Sequence, residues 1–152
     1  IVPKPVVGDG MVYIGTSFMR PQLIAFDITK ARPEIAWACK RSVPAVSSPI
    51  LVGNELYFVS DSGGIVTCLD ARSGEEQWRE RIGGNHGASP TFVGGRLLFH
   101  SKEGETTALK PGRKFKILAR NKLDGAHHAS AAVSDDALFL RTEKALYKIE
   151  GQ

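Results

Sequence analysis

The chain has 152 residues, 42% of them apolar and 24% charged, with a formal net charge of +4. That length fits a single domain and suffices to bury a core without disulfide or metal staples. No apolar run approaches the roughly 18 residues of a membrane-spanning helix, so no membrane insertion is expected.

The chain opens on Ile1 rather than Met, as expected of a processed or excised piece. The positive charge is densest at Arg113, Lys114, Lys116, Arg120 and Lys122. No aromatic ladder interleaves these residues, whereas a nucleic-acid groove combines a basic track with stacking platforms. They read as the solvated face of an outer strand, and no nucleic-acid partner is expected. The two cysteines, Cys39 and Cys68, form neither a CxxC nor a metal-ligand spacing. Cys68 lies in an apolar strand pattern, where a thiol acts as a small buried hydrophobe.

In chain order, the first unit opens with Val7-Gly8-Asp9-Gly10-Met11-Val12-Tyr13-Ile14. It continues through Leu23-Ile24-Ala25-Phe26-Asp27 to Trp37. The second has Val52-Gly53-Asn54-Glu55-Leu56-Tyr57-Phe58, then Ile65-Val66-Thr67-Cys68-Leu69-Asp70, then Trp78. The third has Val93-Gly94-Gly95-Arg96-Leu97-Leu98-Phe99 and Glu105-Thr106-Thr107-Ala108-Leu109-Lys110, with Leu118 in the tryptophan's place. The fourth has Val133-Ser134-Asp135-Asp136-Ala137-Leu138-Phe139 and Ala145-Leu146-Tyr147-Lys148-Ile149-Glu150. Each unit opens on a hairpin: a turn rich in Gly, Asp or Asn, followed by a β-prone run.

The spacing is regular. Gly53 to Gly94 is 41 residues and Gly94 to Ser134 is 40, while Gly8 to Gly53 is 45, so the first unit carries a small insertion. In the second unit the strands are expected at Ser48 to Val52, Leu56 to Ser60, Ile65 to Asp70 and Glu76 to Arg81. Four strands per repeat of about 40 to 45 residues is the size of a propeller blade. The expected fold is therefore all-β: an incomplete β-propeller of about four antiparallel blades. The blades fall at 6–40, 47–82, 88–123 and, lacking its outer strand, 129–150.

Ser48-Pro49-Ile50-Leu51-Val52-Gly53, Leu56-Tyr57-Phe58-Val59, Asp61, Gly64, Leu69-Asp70-Ala71, Gly74 and Trp78 together resemble the repeat of the PQQ-like (quinoprotein and BamB-like) β-propeller family. The second unit fits that repeat almost throughout. The third keeps Ser89-Pro90, Gly94, Gly104 and Ala108 but loses the Asp and the Trp. The resemblance implies an eight-bladed ring, of which this chain is the carboxyl half, and a periplasmic or exported bacterial setting. It also implies PQQ and calcium in the family's enzymes, held beneath vicinal cysteines and beside a catalytic Asp. This chain has no adjacent cysteines, and Asp9, Asp61, Asp70, Asp135 and Asp136 sit in or beside predicted turns, where Asp has a backbone role. Neither PQQ nor calcium is expected on it.

Four histidines hold the remaining concentrated chemistry. His86 and His127 each precede a serine, Ser89 and Ser130, by three residues; Ala45 has that place in the second unit. On the connections between blades, His86, His127 and His128 are expected near the channel, with His100 ending a strand beside the same face. All four are candidate loop-face or channel ligand contacts. A metal needs three or four converging ligands with a supporting shell, and equivalent positions on adjacent blades stand too far apart, so no metal site is expected. Trp37 and Trp78 are expected to dock structurally against neighbouring blades. No Ser-His-Asp arrangement is present, and Gly83-Gly84-Asn85 and Gly94-Gly95 lack the following helix that phosphate binding requires. The chain thus reads as a non-catalytic binding or scaffolding module for a protein or small ligand. Self-association, or the missing half of the ring, is expected to cover its open ends. The alternative is half of a quinoprotein dehydrogenase whose catalytic residues lie outside this chain.

Overall fold

The apolar runs and their glycine turns fold into four separate antiparallel sheets. The structure is a computed structural model that describes residues 3–17, 19–134 and 137–150. The first sheet contains β1 (Val6–Gly8), β2 (Met11–Thr16), β3 (Gln22–Asp27) and β4 (Glu34–Cys39) in that order. The second contains β5 (Ile50–Val52), β6 (Glu55–Val59), β7 (Ile65–Asp70) and β8 (Glu76–Arg81). The third contains β9 (Thr91–Val93), β10 (Arg96–His100), β11 (Glu105–Leu109) and β12 (Ile117–Lys122). The fourth has three strands, β13 (Ala132–Ser134), β14 (Ala137–Arg141) and β15 (Leu146–Glu150). No helix occurs among the described residues. The predicted turn residues Asp135 and Asp136 lie outside them.

Each sheet meanders because short turns separate its strands. At Gly64 the backbone takes φ +55°, and a Cβ would lie 1.9 Å from the carbonyl oxygen of Gly83. Only glycine lets this turn approach the strand exit so closely. The sheets stack face against face as an arc that does not close, an incomplete propeller.

The core lies between sheets, and the strand sequences say which sheets are enclosed. Leu56-Tyr57-Phe58-Val59 of β6 are all fully buried. Leu56 and Phe58 pack with Met11, Tyr13, Leu23 and Ala25 of the first sheet. Tyr57 and Val59 point the other way, onto Leu97, Phe99 and Leu109 of the third. A strand enclosed on both faces has no polar side to alternate with, hence the continuous apolar run. In β2, on an end sheet, buried and half-buried residues alternate instead. Each fully buried aromatic or aliphatic side chain contributes about 1.5–3 kcal/mol.

The inner edge is stitched by serines. Lys4 N–H donates to Ser48 Oγ (2.8 Å), Ser48 N–H to Ser89 Oγ (2.9 Å) and Ser89 N–H to Ser130 Oγ (2.8 Å). The serine that opens each repeat therefore ties its blade to the one before.

One expectation needs correction. Trp37 stands opposite Ala25 and Trp78 opposite Cys68, and the residue in that register on the third sheet, opposite Ala108, is Ala119 rather than Leu118. Leu118 falls on the bulge between Ala108 and Leu109 and is 42% exposed. The path from β11 to β12 is one residue longer than its counterpart in the second sheet, so counting from Lys110 lands on the wrong face.

Candidate functional site

The connections between sheets form one end of the molecule, and backbone hydrogen bonds hold them on both sides. His86 N–H donates to Asp61 O (2.8 Å), and Lys102 N–H donates to Asn85 O (2.7 Å). In the next connection His127 N–H donates to Lys102 O (3.3 Å) and Glu143 N–H to Ala126 O (3.0 Å). His86 and His127 thereby form isolated antiparallel bridges with Ser101 and Thr142. Each connection is tied to the turn of the sheet it leaves and to the sheet it enters.

Three of the four histidines meet beneath this surface. His86, His100 and His127 are buried. The ring nitrogens of His86 face two carbonyls, Nδ1 at 3.1 Å from His100 O and Nε2 at 2.9 Å from Gly83 O. His100 Nδ1 lies 2.9 Å from Thr106 Oγ1. The His100 ring stacks on that of His127, with centroids 5.8 Å apart and planes within 9°. Among the described residues His100 Nε2 and both nitrogens of His127 have no hydrogen-bond partner. Burial, reinforced by the charges of His127 and His86, pushes His100 down to about 4. Burial also lowers His127. Burial of the stacked pair favours neutral rings. Among the described residues no group of three or more His, Cys, Asp or Glu is placed to hold a metal ion. His128 stands apart from the cluster and is exposed.

The exposed residues above the cluster are Asn85, Lys102, Glu103, Asp124, His128 and Lys144. Glu103 accepts the backbone N–H of Asn85 (3.0 Å) and its side-chain amide (2.7 Å). Those bonds, the backbone one foremost, hold its carboxyl at about 2. Lys144 Nζ lies 2.9 Å from Asp124 Oδ2. This end is therefore polar, of mixed charge, and fixed from below.

At the opposite end the tryptophans bridge successive sheets. Trp37 Nε1–H donates to Ala71 O (3.0 Å), and its ring covers Gly74, where a Cβ would lie 2.6 Å from the indole. Trp78 Nε1–H donates to Gly112 O (2.9 Å) and meets Phe115 edge-on at 5.2 Å. Each indole pairs with a tyrosine of its own sheet, Tyr13 at 5.8 Å and Tyr57 at 5.9 Å. Tyr57 Oη accepts the N–H of Gly112 (2.7 Å), and burial raises the tyrosine's pKa. Cys68, beneath the same ring system, is pushed up to about 12 by burial and is a free, inert thiol.

Sequence reasoning missed one device here. Arg113 reaches back from the third sheet to Asp70 (2.7 Å) and Glu55 (3.3 Å) of the second. Arg72 likewise reaches back to Asp27 (3.9 Å) and to Asp9 O (3.2 Å) of the first. The two arginines stand 41 residues apart, a repeat-period signal hidden by the basic cluster around Arg113.

The third sheet presents none of these features to the fourth. By register, Leu98 holds the place of Tyr57 and Ala119 that of Trp78. Arg96 holds that of Glu55 and Lys110 that of Asp70. A cleft of about 980 Å³ opens there, with Leu98, Ala108 and Ala119 on one wall and Leu138 and Ile149 on the other.

The family described as outer membrane protein assembly factor BamB matches residues 1–80 and 62–150. No curated protein matches the chain by sequence. Among solved structures, BamB from Moraxella catarrhalis is 18% identical with a TM-score of 0.74, over 96% of this chain and 41% of that one. A europium-containing methanol dehydrogenase is 17% identical with a TM-score of 0.67, over 80% of this chain and 24% of that one. The computationally designed Ika4 protein is 11% identical with a TM-score of 0.73, over 96% of this chain and 88% of that one. At these identities the likeness is one of fold. The chain spans under half the length of BamB and about a quarter of the dehydrogenase.

Proposed function

The chain belongs to the family of the outer membrane protein assembly factor BamB, a family of PQQ-like repeats, and from that premise we propose that it is a non-catalytic scaffolding module that binds a protein through its loop end. One observation carries the reading: the exposed side chains of Asn85 and His128 rise from connections, and those of Lys102 and Glu103 from the β10–β11 turn between them, that backbone hydrogen bonds tie together. A surface held in place before contact loses little entropy on binding, which favours recognition. BamB is by its description an assembly factor of outer membrane proteins, and a periplasmic setting follows under the same reading. The chain itself takes neither PQQ nor calcium in this role. The open faces of the first and fourth sheets, where Ile35 and Leu146 are exposed, associate with a second copy or with the remaining half of a ring.

Photo-crosslinking side chains at Lys102 and His128, with Lys30 in the β3–β4 turn at the opposite end as control, test the binding face in producing cells. A discrete protein adduct from the loop end alone is expected, and equal or no capture from the two ends overturns the reading. Absorbance after reconstitution with PQQ and calcium is expected to show no bound cofactor; a stoichiometric band would revive the dehydrogenase alternative. Light scattering at high concentration is expected to give a mass above that of one chain, and a clean monomer counts against pairing.

A further inference from the structure

The joint between the first and second sheets lacks two contacts that its neighbour, between the second and third, makes at the same places. Trp37 Nε1–H donates to Ala71 O and Trp78 Nε1–H to Gly112 O, which makes Ala71 the counterpart of Gly112. Gly112 N–H donates to Tyr57 Oη (2.7 Å), whereas Ala71 N–H donates to Asn54 O (2.9 Å). Tyr13, the counterpart of Tyr57 by register, is therefore left without that partner although only 1% of it is exposed. The second missing contact is a carboxylate. Arg113 lies between Glu55 (3.3 Å) and Asp70 (2.7 Å). Its counterpart Arg72 meets Asp27 at 3.9 Å and the carbonyl of Asp9 at 3.2 Å, and Met11 stands in the place of Glu55. A cavity of about 270 Å³ lies at this point, with the buried Met11, Tyr13 and Ala71 within it and the exposed Asp9, Asn54 and Arg72 at its mouth. Asp70 lines it too, with its charge already answered by Arg113.

We propose that this cavity is a binding site for a small zwitterionic α-amino acid. The ligand's carboxylate takes the place that Glu55 holds beside Arg113, and meets the guanidinium of Arg72 and the hydroxyl of Tyr13. A guanidinium and a carboxylate form charge-assisted bonds, and a buried hydroxyl without a partner gains most from a new acceptor. The ligand's ammonium faces the carboxylate of Asp9 at the mouth. Burial foremost raises the pKa of Tyr13; Asp9 adds to the rise, Arg72 opposes it and Asp70 adds again, so all three charges lie within reach of its hydroxyl. Met11 and Ala71 supply an apolar wall that suits a short aliphatic side chain. The volume lies just under the roughly 300–1,000 Å³ of pockets for drug-sized ligands, which limits the occupant to a small molecule. The cavity is at the tryptophan end, away from the loop end, and stands whether or not the loop end binds a protein.

Amide NMR titration of the whole chain with L-alanine, propionate and ethylamine tests the proposal. L-alanine is expected to give saturable shifts of the Ala71 amide and the Trp37 indole N–H, while the Trp78 indole N–H of the neighbouring joint stays unchanged. Propionate lacks the ammonium and ethylamine the carboxylate, and each is expected to bind at least ten-fold more weakly. Met11→Glu, which installs the carboxylate of the neighbouring joint, is expected to abolish binding. Arg72→Ala, at a largely exposed side chain, is expected to weaken it at least ten-fold and serves the same purpose should Met11→Glu fail to fold. Asp9→Asn, which suits the φ of +48° there, is expected to bring propionate level with L-alanine. No saturable shifts, equal shifts at Trp78, or equal binding of propionate or ethylamine by the unsubstituted chain would overturn it. So would binding that survives Arg72→Ala or a folded Met11→Glu, or a preference for L-alanine unchanged in Asp9→Asn.

Discussion

The interface between the second and third sheets and the one between the third and fourth share their backbone stitching and differ in their side chains. Both keep the serine bond at the inner edge, Ser48 to Ser89 in one and Ser89 to Ser130 in the other. Both keep the tied connection at the loop end, through His86 and through His127. At the far end the second sheet offers Tyr57, Trp78, Glu55 and Asp70, whereas the third offers Leu98, Ala119, Arg96 and Lys110. One interface is filled and clamped; the other holds a cleft. The backbone places successive sheets side by side, and the outer half of a filled joint needs both the indole of one sheet and the turn of the next, Ala71 and Gly74 against Trp37 and Gly112 and Phe115 against Trp78.

The largest expected effect is to turn the filled interface into the open one. Trp78→Ala removes a ring packed on Tyr57 and Phe115 and is expected to cost about 3–5 kcal/mol in denaturant unfolding, with a loss under about 1 kcal/mol denying the ring that role.

Acid sharpens the comparison from the loop end. His100 occupies the place of Val59 and is held at about 4 rather than 6.5. Its folded-state pKa is lowered, so the unfolded chain takes up the proton first as pH falls. The stabilisation is complete above about pH 6.5 and is lost progressively towards pH 4, up to about 3 kcal/mol in all. Melting curves from pH 7.5 to 4 are expected to show this loss, and His100→Val, which installs the residue of the second sheet, is expected to flatten it. An unchanged slope in that variant would assign the acid sensitivity elsewhere.

A smaller effect is expected at the docking glycine. Gly74→Ala sets a Cβ 2.6 Å from the Trp37 indole at φ +75°, at a cost of roughly 1–3 kcal/mol. Trp37→Ala in the same background is expected to remove the steric part of that cost and leave the backbone part in a double-mutant cycle, and fully additive losses would separate the two residues. The smallest effect belongs to the arginine clamp. Arg113→Ala is expected to lower stability by about 0.5–1 kcal/mol, and the difference is expected to shrink at high salt because the pair is partly exposed.

Particular residues show what could be read in advance. The Ser-Pro starts, the Gly turns and the two tryptophans recur at a visible period, and each corresponds to a local geometric need. The clamp was obscure because Arg113 lies among lysines and reads as part of a solvated strand, although its guanidinium reaches another blade. Leu118 does not take the Trp position of the third sheet because one extra residue between β11 and β12 shifts the face, while the bulge is common to the first three sheets. The histidines were expected near one another on the loop face. Their actual state, three buried and His128 exposed, depends on how the connections lie across neighbouring turns.

By itself the sequence determined the repeat, its strands and the turns between them, because those follow from β-prone apolar runs and from residues that suit tight turns. Only the tertiary structure decided that His100 and His127 stack in a buried site and that a cleft lies between the described residues of the third and fourth sheets. These outcomes rest on contacts between side chains from different sheets. A repeat pattern gives the place of each such side chain, but the volume and charge left between two of them exist only once both sheets are packed.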